Sequence, residues 1–481
     1  MGAVVTTQRT ARQRARLRAG LLAGGVALAL TTLPVFAGRG SGSGASAAEA
    51  VGAQPVTAQG GIPGENGQPW DGQTHLIGDG STSYTGPQPE QPTPTKLKPG
   101  ERPPQFVVFS WDGALENDQK LFSHYLQLSE QYHAQMTFFL TGMYLLPSSK
   151  RYLYHPPKHG VGTAAISFAT DQHIRWTLQQ LSQAWQNGDE IGTHFNGHFC
   201  GAGGGGDWST KEWLSETQQA YSFVENWKTN TGFTDIPALP FDYSKELVGG
   251  RAPCLEGQKT LVPAEKQLGW RYDASSPGDF QAWPRKVDGI WNFPLQEMPY
   301  PGHDFQVLSM DFNFLANQSG GNPSGDPAKY AQWEQSTVDG YMNGFNRAYY
   351  GSRAPLFIGN HFENWNGGIY MQAMDQVIKN TCSKPDVRCV SFKEMADWLD
   401  VQSPAVLAKL RGLDPSESPD WSTFIRGSDS GSGSGSDGSS GNPKDSSGTG
   451  SGSGSGDSQR NGKGQGKGSG GNGGGQGGNG N

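Results

Sequence analysis

Between residues 105 and 402 the chain alternates short apolar runs with amphipathic stretches, and this order constrains the fold more than any other feature. Strands that alternate with helices pair in parallel, because each crossover returns the chain to the same end of the sheet. The run 106–111 reads as a buried strand ending at Asp112-Gly113, and 136–140 as a second one. Residues 118–132 read as a helix with Leu121, Tyr125, Leu128 and Tyr132 on one stripe. Further helices are expected at 176–185, 213–227, 258–268 (interrupted by Pro263), 330–350, 371–379 and 392–399. Strands are expected at 270–273, 293–298, 305–311, 355–358 and 387–390. The fold class expected is α/β, either a parallel barrel or an open parallel sheet.

In either architecture, chemistry gathers at the carboxyl ends of the strands. Asp112, His194, Arg251, Asp273, Asp311 and His361 all fall just after apolar runs. His194 and His198 lie four residues apart, so they converge on one face if a helical turn begins there. Imidazole nitrogens suit zinc and other divalent metals. The set reads as follows: two imidazoles hold a divalent cation, a carboxylate takes a proton from water, and another histidine protonates a leaving amine. An arginine and a second aspartate then orient the base and the acid, giving metal-assisted hydrolysis of an amide. No HExxH or GxSxG segment occurs, so the common zinc-peptidase and serine-hydrolase signatures are absent.

The flanks of this region have a different character. Arg9, Arg12, Arg14, Arg16 and Arg18 precede the apolar run 19–37, which ends in small residues. Residues 1–37 therefore read as a signal peptide, and the absence of an Arg-Arg pair favours the general secretory route. The protein is expected to be secreted or held at the cell surface. Residues 38–104, rich in Pro, Gly, Gln, Ser and Thr, read as an extended linker with too few apolar groups for a core. Residues 403–426 form a C-terminal extension, and 427–481 are Gly/Ser repeats expected to be disordered. The net charge of -7 argues against a general nucleic-acid binder, and no stable membrane partner is expected. Four cysteines without a CxxC spacing allow two disulfides in an exported protein. Cys382 with Cys389 would close a short loop and leave Cys200 for Cys254; three connectivities remain open.

The same residues, in order, resemble the polysaccharide deacetylase family (NodB-homology, carbohydrate esterase family 4), and chitin-deacetylase-like proteins in particular. The motifs are Ser110-Trp-Asp-Gly-Ala114, His194-x3-His198, Arg251-Ala-Pro253, Asp311 and His361, spread over about 105–402. The resemblance implies a distorted (β/α) barrel of about seven parallel strands. It implies that Asp112 is the catalytic base, His361 the general acid, and His194 and His198 metal ligands, with Zn2+ the expected ion. Arg251 would orient the base and Asp311 the acid, while the backbone N–H of Cys254 would serve as an oxyanion donor. The substrate class implied is an N-acetylated, GlcNAc-containing glycan such as chitin or peptidoglycan.

One departure bears on activity. The family's metal-binding Asp is replaced by Gly113, which offers no ligand, and zinc sites normally use at least three protein donors. Glu116 or Asp118 is a candidate replacement. A shifted register would instead make Asp112 the metal ligand and place Trp111 at the base. Phe195 and Gly359 also differ from the usual residues. The chain is thus expected to be either a metal-dependent N-deacetylase or a non-catalytic, glycan-binding or cell-surface protein on the same fold.

Overall fold

The computed structural model describes residues 70–425. The expected signal peptide, the first part of the linker and the Gly/Ser tail lie outside the described residues. Thirteen strands occur in this span. A hairpin, β1 (His75–Ile77) and β2 (Thr82–Tyr84), precedes the main sheet. The sheet contains β3 (Gln105–Asp112), β4 (Thr137–Leu140), β5 (Glu190–Thr193), β6 (Gly249–Gly250) and β7 (Tyr272–Asp273). It is completed by β8 (Arg285–Val287), β9 (Ile290–Asn292), β12 (Leu356–His361) and β13 (Val387–Cys389). The short antiparallel pair β10 (Glu297–Pro299) and β11 (Gln306–Leu308) stands apart.

Strand order is β12-β3-β4-β5-β6-β7-β9-β8, with β13 also paired to β3. Every pairing in it is parallel except β8 with β9. The fold is therefore a curled, mostly parallel β/α sheet of the distorted-barrel kind. Of the expected strands at 293–298 and 305–311, neither is a strand of it, although Met310 makes an isolated parallel bridge to Gly359 of β12. They shrink to three-residue segments that pair with each other, and Asp311 opens a helix, Asp311–Ser319, rather than closing a strand.

The two faces of β3 show how the sequence pattern builds the core. Successive side chains of a strand point to opposite faces. Val107, Phe109 and Trp111 join the cluster between sheet and helices, where Trp111 lies 4.4 Å from the Tyr125 ring. Phe106 and Val108 point the other way, into a cluster with Phe139, Tyr272, Phe293, Phe357 and Phe392. Phe392 begins the helix Phe392–Val401, which is fixed by a capping box between Ser391 and Glu394. A strand buried on both faces must be apolar almost throughout, and β3 is. Ser110 and Asp112 continue the Phe106–Val108 face, so the same alternation delivers Asp112 to the inner side.

Helices match the expected positions with shifted ends: Leu121–Tyr132, Asp171–Gln186, Thr210–Glu225, Tyr330–Tyr349 and Ile369–Cys382. Gln258–Leu268 runs through Pro263 without a break. None of the described helices is long and apolar enough to cross a membrane.

Residues 70–104, read from sequence as part of a linker, lie against the domain through polar contacts. The Trp227 indole donates to the Ser81 carbonyl at 2.7 Å, and Leu97 N–H donates to Gln402 Oε1 at 2.9 Å. Gln88 Nε2 donates to the Asp189 carbonyl at 2.7 Å. Apolar side chains are few here, yet Leu97 is buried in the core cluster, and backbone bonds such as Ser83 N–H to the Leu239 carbonyl at 2.9 Å add to these contacts.

Candidate active site

Asp112 and His361 are directly paired neighbours at the carboxyl ends of adjacent parallel strands, β3 and β12. Arg251 follows β6, and His194 follows β5. Arg251 is fully buried and directs Nη1 and Nε at this corner of the sheet, while its Nη2 has no partner among the described residues. Its Nη1 donates to Asp112 Oδ1 at 2.8 Å and to Ser110 Oγ at 2.9 Å, and its Nε donates to the Ala274 carbonyl at 3.0 Å. The Phe139 ring lies 4.8 Å from the guanidinium carbon, adding a cation–π contact. Gly359 on β12 makes room for this arrangement: a Cβ there would sit 3.1 Å from Arg251 Nη1 and 2.8 Å from Met310 Cε. A side chain at 359 would therefore crowd both Met310 and the buried arginine.

The Asp112 carboxyl is held below its ordinary pKa. Burial pushes it up, but the Arg251 charge and the neighbouring histidines outweigh that effect. Trp111, the other candidate base, faces the helix-side core. Only Asp112 of the two reaches Arg251.

The two histidines do not sit on a helical turn, contrary to the expectation from their spacing. His194 to His198 is a loop, in which Phe195 and His198 take left-handed backbone angles (φ 57° and 54°). The rings nevertheless come together, with centroids 5.2 Å apart and planes at 55°. The loop is anchored from below. His194 N–H donates to the Leu140 carbonyl at 2.8 Å, and Phe195 N–H to Thr193 Oγ1 at 3.0 Å. Asn196 Nδ2 donates to the Glu216 carbonyl at 2.9 Å, while Tyr154 OH donates to Glu216 Oε1 at 2.8 Å. Sequence reading missed Glu216 and Tyr154; the available signal was a glutamate three residues after Trp213, on the helix's apolar stripe.

His194 Nδ1–H donates to the Arg251 carbonyl at 2.7 Å. Its Nε2 is buried and has no partner. A ring held in this tautomer by a backbone carbonyl presents its other nitrogen as a lone pair, the arrangement common to metal-ligating histidines. Burial lowers the His194 pKa to about 3, despite the opposing pull of Asp112. His198 is lowered too, first by burial and then by repulsion from His361. Both rings are therefore neutral at pH 7, the form a metal requires. The residues present thus fit a divalent cation through two nitrogens.

The remaining donors do not complete a third protein ligand. Gly113 has no side chain. Glu116 Oε2 accepts from Ser123 N–H at 2.8 Å and so caps the first turn of the helix Leu121–Tyr132. Asp118 faces His173 at 3.4 Å. Ligand atoms of His198, Cys200 and Cys254 lie within 4.8 Å of one another, but the two sulfurs are joined in a disulfide and are not thiolates. Cys382 and Cys389 form the second disulfide.

His361 forms a dyad with Asp311. The ring Nδ1–H donates to Asp311 Oδ1 at 2.8 Å, and the backbone N–H of His361 donates to Oδ2 at 2.7 Å. Asp311 is buried at the first position of its helix. Burial alone would lower the His361 pKa, but the Asp311 charge and hydrogen bond, with Asp112 and Glu363, raise it to about 9. Of the strand-end set, Asp273 does not join the site. It is buried, and its Oδ1 accepts from Ser275 N–H at 2.9 Å. Cys254 follows Arg251 by three residues in an exposed turn with φ 57°.

The arrangement is that of a β/α sheet carrying an anionic carboxylate, two neutral imidazoles and a cationic imidazole at its carboxyl edge. No family model matches the sequence, and no curated protein sequence matches it. Solved structures similar to the chain include polysaccharide and peptidoglycan deacetylases and carbohydrate esterase family 4 proteins. One is a Mycobacterium smegmatis protein provisionally assigned as a polysaccharide deacetylase, at 14% identity and TM-score 0.39, covering 65% of this chain and 97% of that one. Another is the peptidoglycan deacetylase PdaC of Bacillus subtilis, at 12% identity and TM-score 0.32, covering 62% and 92%. A third is a mutant of a family 4 pseudoenzyme with restored activity, at 10% identity and TM-score 0.32, covering 63% and 73%.

Proposed function

We propose that the chain is a secreted N-deacetylase of a GlcNAc-containing glycan, acting by metal-assisted amide hydrolysis. The observation that carries this reading is the pairing of an ionised Asp112 with a protonated His361 on neighbouring strands, beside two neutral imidazoles. Acid and base catalysis need such groups poised in opposite charge states at one pH.

His194 and His198 would hold the divalent cation, which would polarise the amide carbonyl and acidify the attacking water. Asp112 takes a proton from that water as its oxygen bonds to the acyl carbon. Arg251 fixes the carboxylate and keeps it anionic. The backbone N–H of Cys254 would receive the negative charge on the former carbonyl oxygen. His361, oriented by Asp311, then gives its free ring proton to the nitrogen as the C–N bond breaks. Acetate and the free amine leave. Two disulfides and the absence of a membrane-length helix among the described residues are compatible with an extracellular location.

Gly113 favours a second reading, a glycan-binding protein without turnover, because it removes a third ligand from the metal site. Acetate release from N-acetylchitopentaose and from peptidoglycan, with zinc measured by equilibrium dialysis, separates the two. The enzyme reading expects release that needs metal and is abolished by Asp112→Asn and by His361→Gln, and zinc retention lost in His194→Gln. Glycan binding without any acetate release establishes the second reading, and no binding at all removes both.

A further inference from the structure

The space beside Gly113 is bordered by two hydroxyls that the reaction scheme does not use. A Cβ added at Gly113 would lie 3.7 Å from the Tyr144 hydroxyl and 3.8 Å from Thr141 Oγ1, in ordinary van der Waals contact. A side chain at 113 would therefore fit, touching the Tyr144 ring edge at 3.6 Å as well as the two oxygens. Thr141 Oγ1 is 1% exposed as a residue and has no hydrogen-bond partner. An unpartnered buried hydroxyl costs about 1–3 kcal/mol, so its retention asks for a ligand. The backbone amides nearby are already engaged, since Gly113 and Ala114 N–H both donate to the Phe139 carbonyl at 3.0 Å. Whatever enters this space must bond to the two hydroxyls.

The surroundings fix the charge of that visitor. Asp112 is the adjacent residue and is ionised. Glu363 lies close enough to Tyr144 to raise its phenol pKa, in addition to the effect of burial, so the phenol keeps its proton and remains a donor. With no cation to bridge them, Asp112 and Glu363 would repel a carboxylate or phosphate entering there, and a neutral oxygen meets no such repulsion. Hydroxyls both donate and accept, and so match another hydroxyl better than they match a carbonyl or an amine.

We propose that Tyr144 and Thr141 form a binding point for a neutral sugar hydroxyl of the glycan, in the space that Gly113 leaves without a side chain. This rests on the glycan reading in either of its forms. It gives the glycine at 113 a use: a metal-binding carboxylate is exchanged for room to seat substrate next to the base.

The test measures affinity for N-acetylchitopentaose by calorimetry, and KM and kcat by acetate release, alongside zinc affinity by equilibrium dialysis. Tyr144→Phe and Thr141→Val should each weaken glycan affinity by about 3- to 10-fold, the value of one neutral hydrogen bond, with kcat and zinc affinity changed less than twofold. Thr141→Ser, which keeps the hydroxyl, should restore affinity, and melting curves should show each variant folded. Wild-type binding with unchanged affinity in both variants overturns this inference and leaves the glycan reading standing. A fall in zinc affinity equal to the fall in glycan affinity also overturns it, because the hydroxyls would then serve the metal. Wild type that binds no glycan overturns both.

Discussion

Replacing Asp311 by Asn tests the proposed acid directly. Both carboxylate oxygens of Asp311 are committed to His361, one to the ring N–H and one to the backbone N–H. Asparagine keeps one acceptor but sets an NH2 group against a donor and removes the charge. The His361 pKa rises from 6.5 to about 9 in the folded protein. At about 1.4 kcal/mol per unit this is roughly 3 kcal/mol of preference for the protonated ring. Burial opposes that preference, so loss of the Asp311 charge should drop the pKa to about 6.5 or below. At pH 8 the protonated fraction would fall from about 90% to a few per cent, and the rate of an acid-dependent step about 30-fold. A raised histidine pKa adds stability that is complete below about 6.5 and is lost as the pH climbs through about 9. Wild type should therefore exceed Asp311→Asn in stability most at pH 6, with the gap closing toward pH 10. The assay is an NMR titration of the His361 ring, assigned by its loss in His361→Gln, with urea unfolding at several pH values. A His361 pKa in Asp311→Asn within half a unit of wild type would refute the reasoning.

Three further outcomes follow from buried groups and crosslinks. Burial raises the Asp189 pKa to about 7 from 3.8, against its bonds from Met136 and Ser129, so the folded protein holds the extra proton between those values. Wild type should lose stability relative to Asp189→Asn as pH rises from about 4 to about 7, by up to ~4 kcal/mol, and a flat difference in urea unfolding would contradict this. Removing the Cys200–Cys254 disulfide, which closes a loop of 54 residues, should cost about 4 kcal/mol, against about 2.5 kcal/mol for Cys382–Cys389 at a separation of 7; equal losses in urea unfolding would argue against loop entropy as the cause. Asp112→Asn leaves the Arg251 guanidinium buried without its counter-charge and should destabilise by about 3–5 kcal/mol, which chemical denaturation at pH 7 would register.

Alternation of apolar runs and amphipathic stretches was enough to read the parallel sheet and to place Asp112, His194, Arg251 and His361 at strand ends. These positions depend on local pattern alone. The convergence of His194 with His198 was legible only in outcome: the spacing suggested a helical turn, whereas two left-handed residues make a loop that achieves the same meeting. Backbone angles of that kind leave little mark on a sequence unless glycine or asparagine carries them. Asp311 was expected at the end of a strand and instead opens a helix, because β11 stops at Leu308. Tyr144, Thr141, Tyr154 and Glu216 were not singled out. Tyr154 and Glu216 act through a contact distant in sequence, and apart from the glutamate on an apolar helical stripe nothing local separates these four from ordinary surface or core residues. The polar segment 70–104 was illegible for a related reason, since backbone hydrogen bonds are available to any sequence.

The charge states of the site follow from where the sheet places it. Below Asp112 the inner face is aromatic, with Phe139 and Phe392 beside the Arg251 guanidinium and Phe357 in the same cluster. Such surroundings penalise any charge that lacks a partner. Asp112 has Arg251 and His361 has Asp311, so each stays charged. His194 and His198 have no carboxylate hydrogen-bonded to them and stay neutral, and the charge on His361 reinforces that neutrality at His198. One buried arginine and one buried aspartate thus divide three otherwise similar imidazoles into two neutral rings and one cation. Disturbing either partner should blur that division: without Asp311, His361 loses its proton near neutral pH and ceases to repel protonation of His198, so the two histidine titrations should shift in opposite directions. Finding both unchanged in the Asp311→Asn spectrum would show that local burial alone, and not this division of charge, sets the chemistry at the sheet edge.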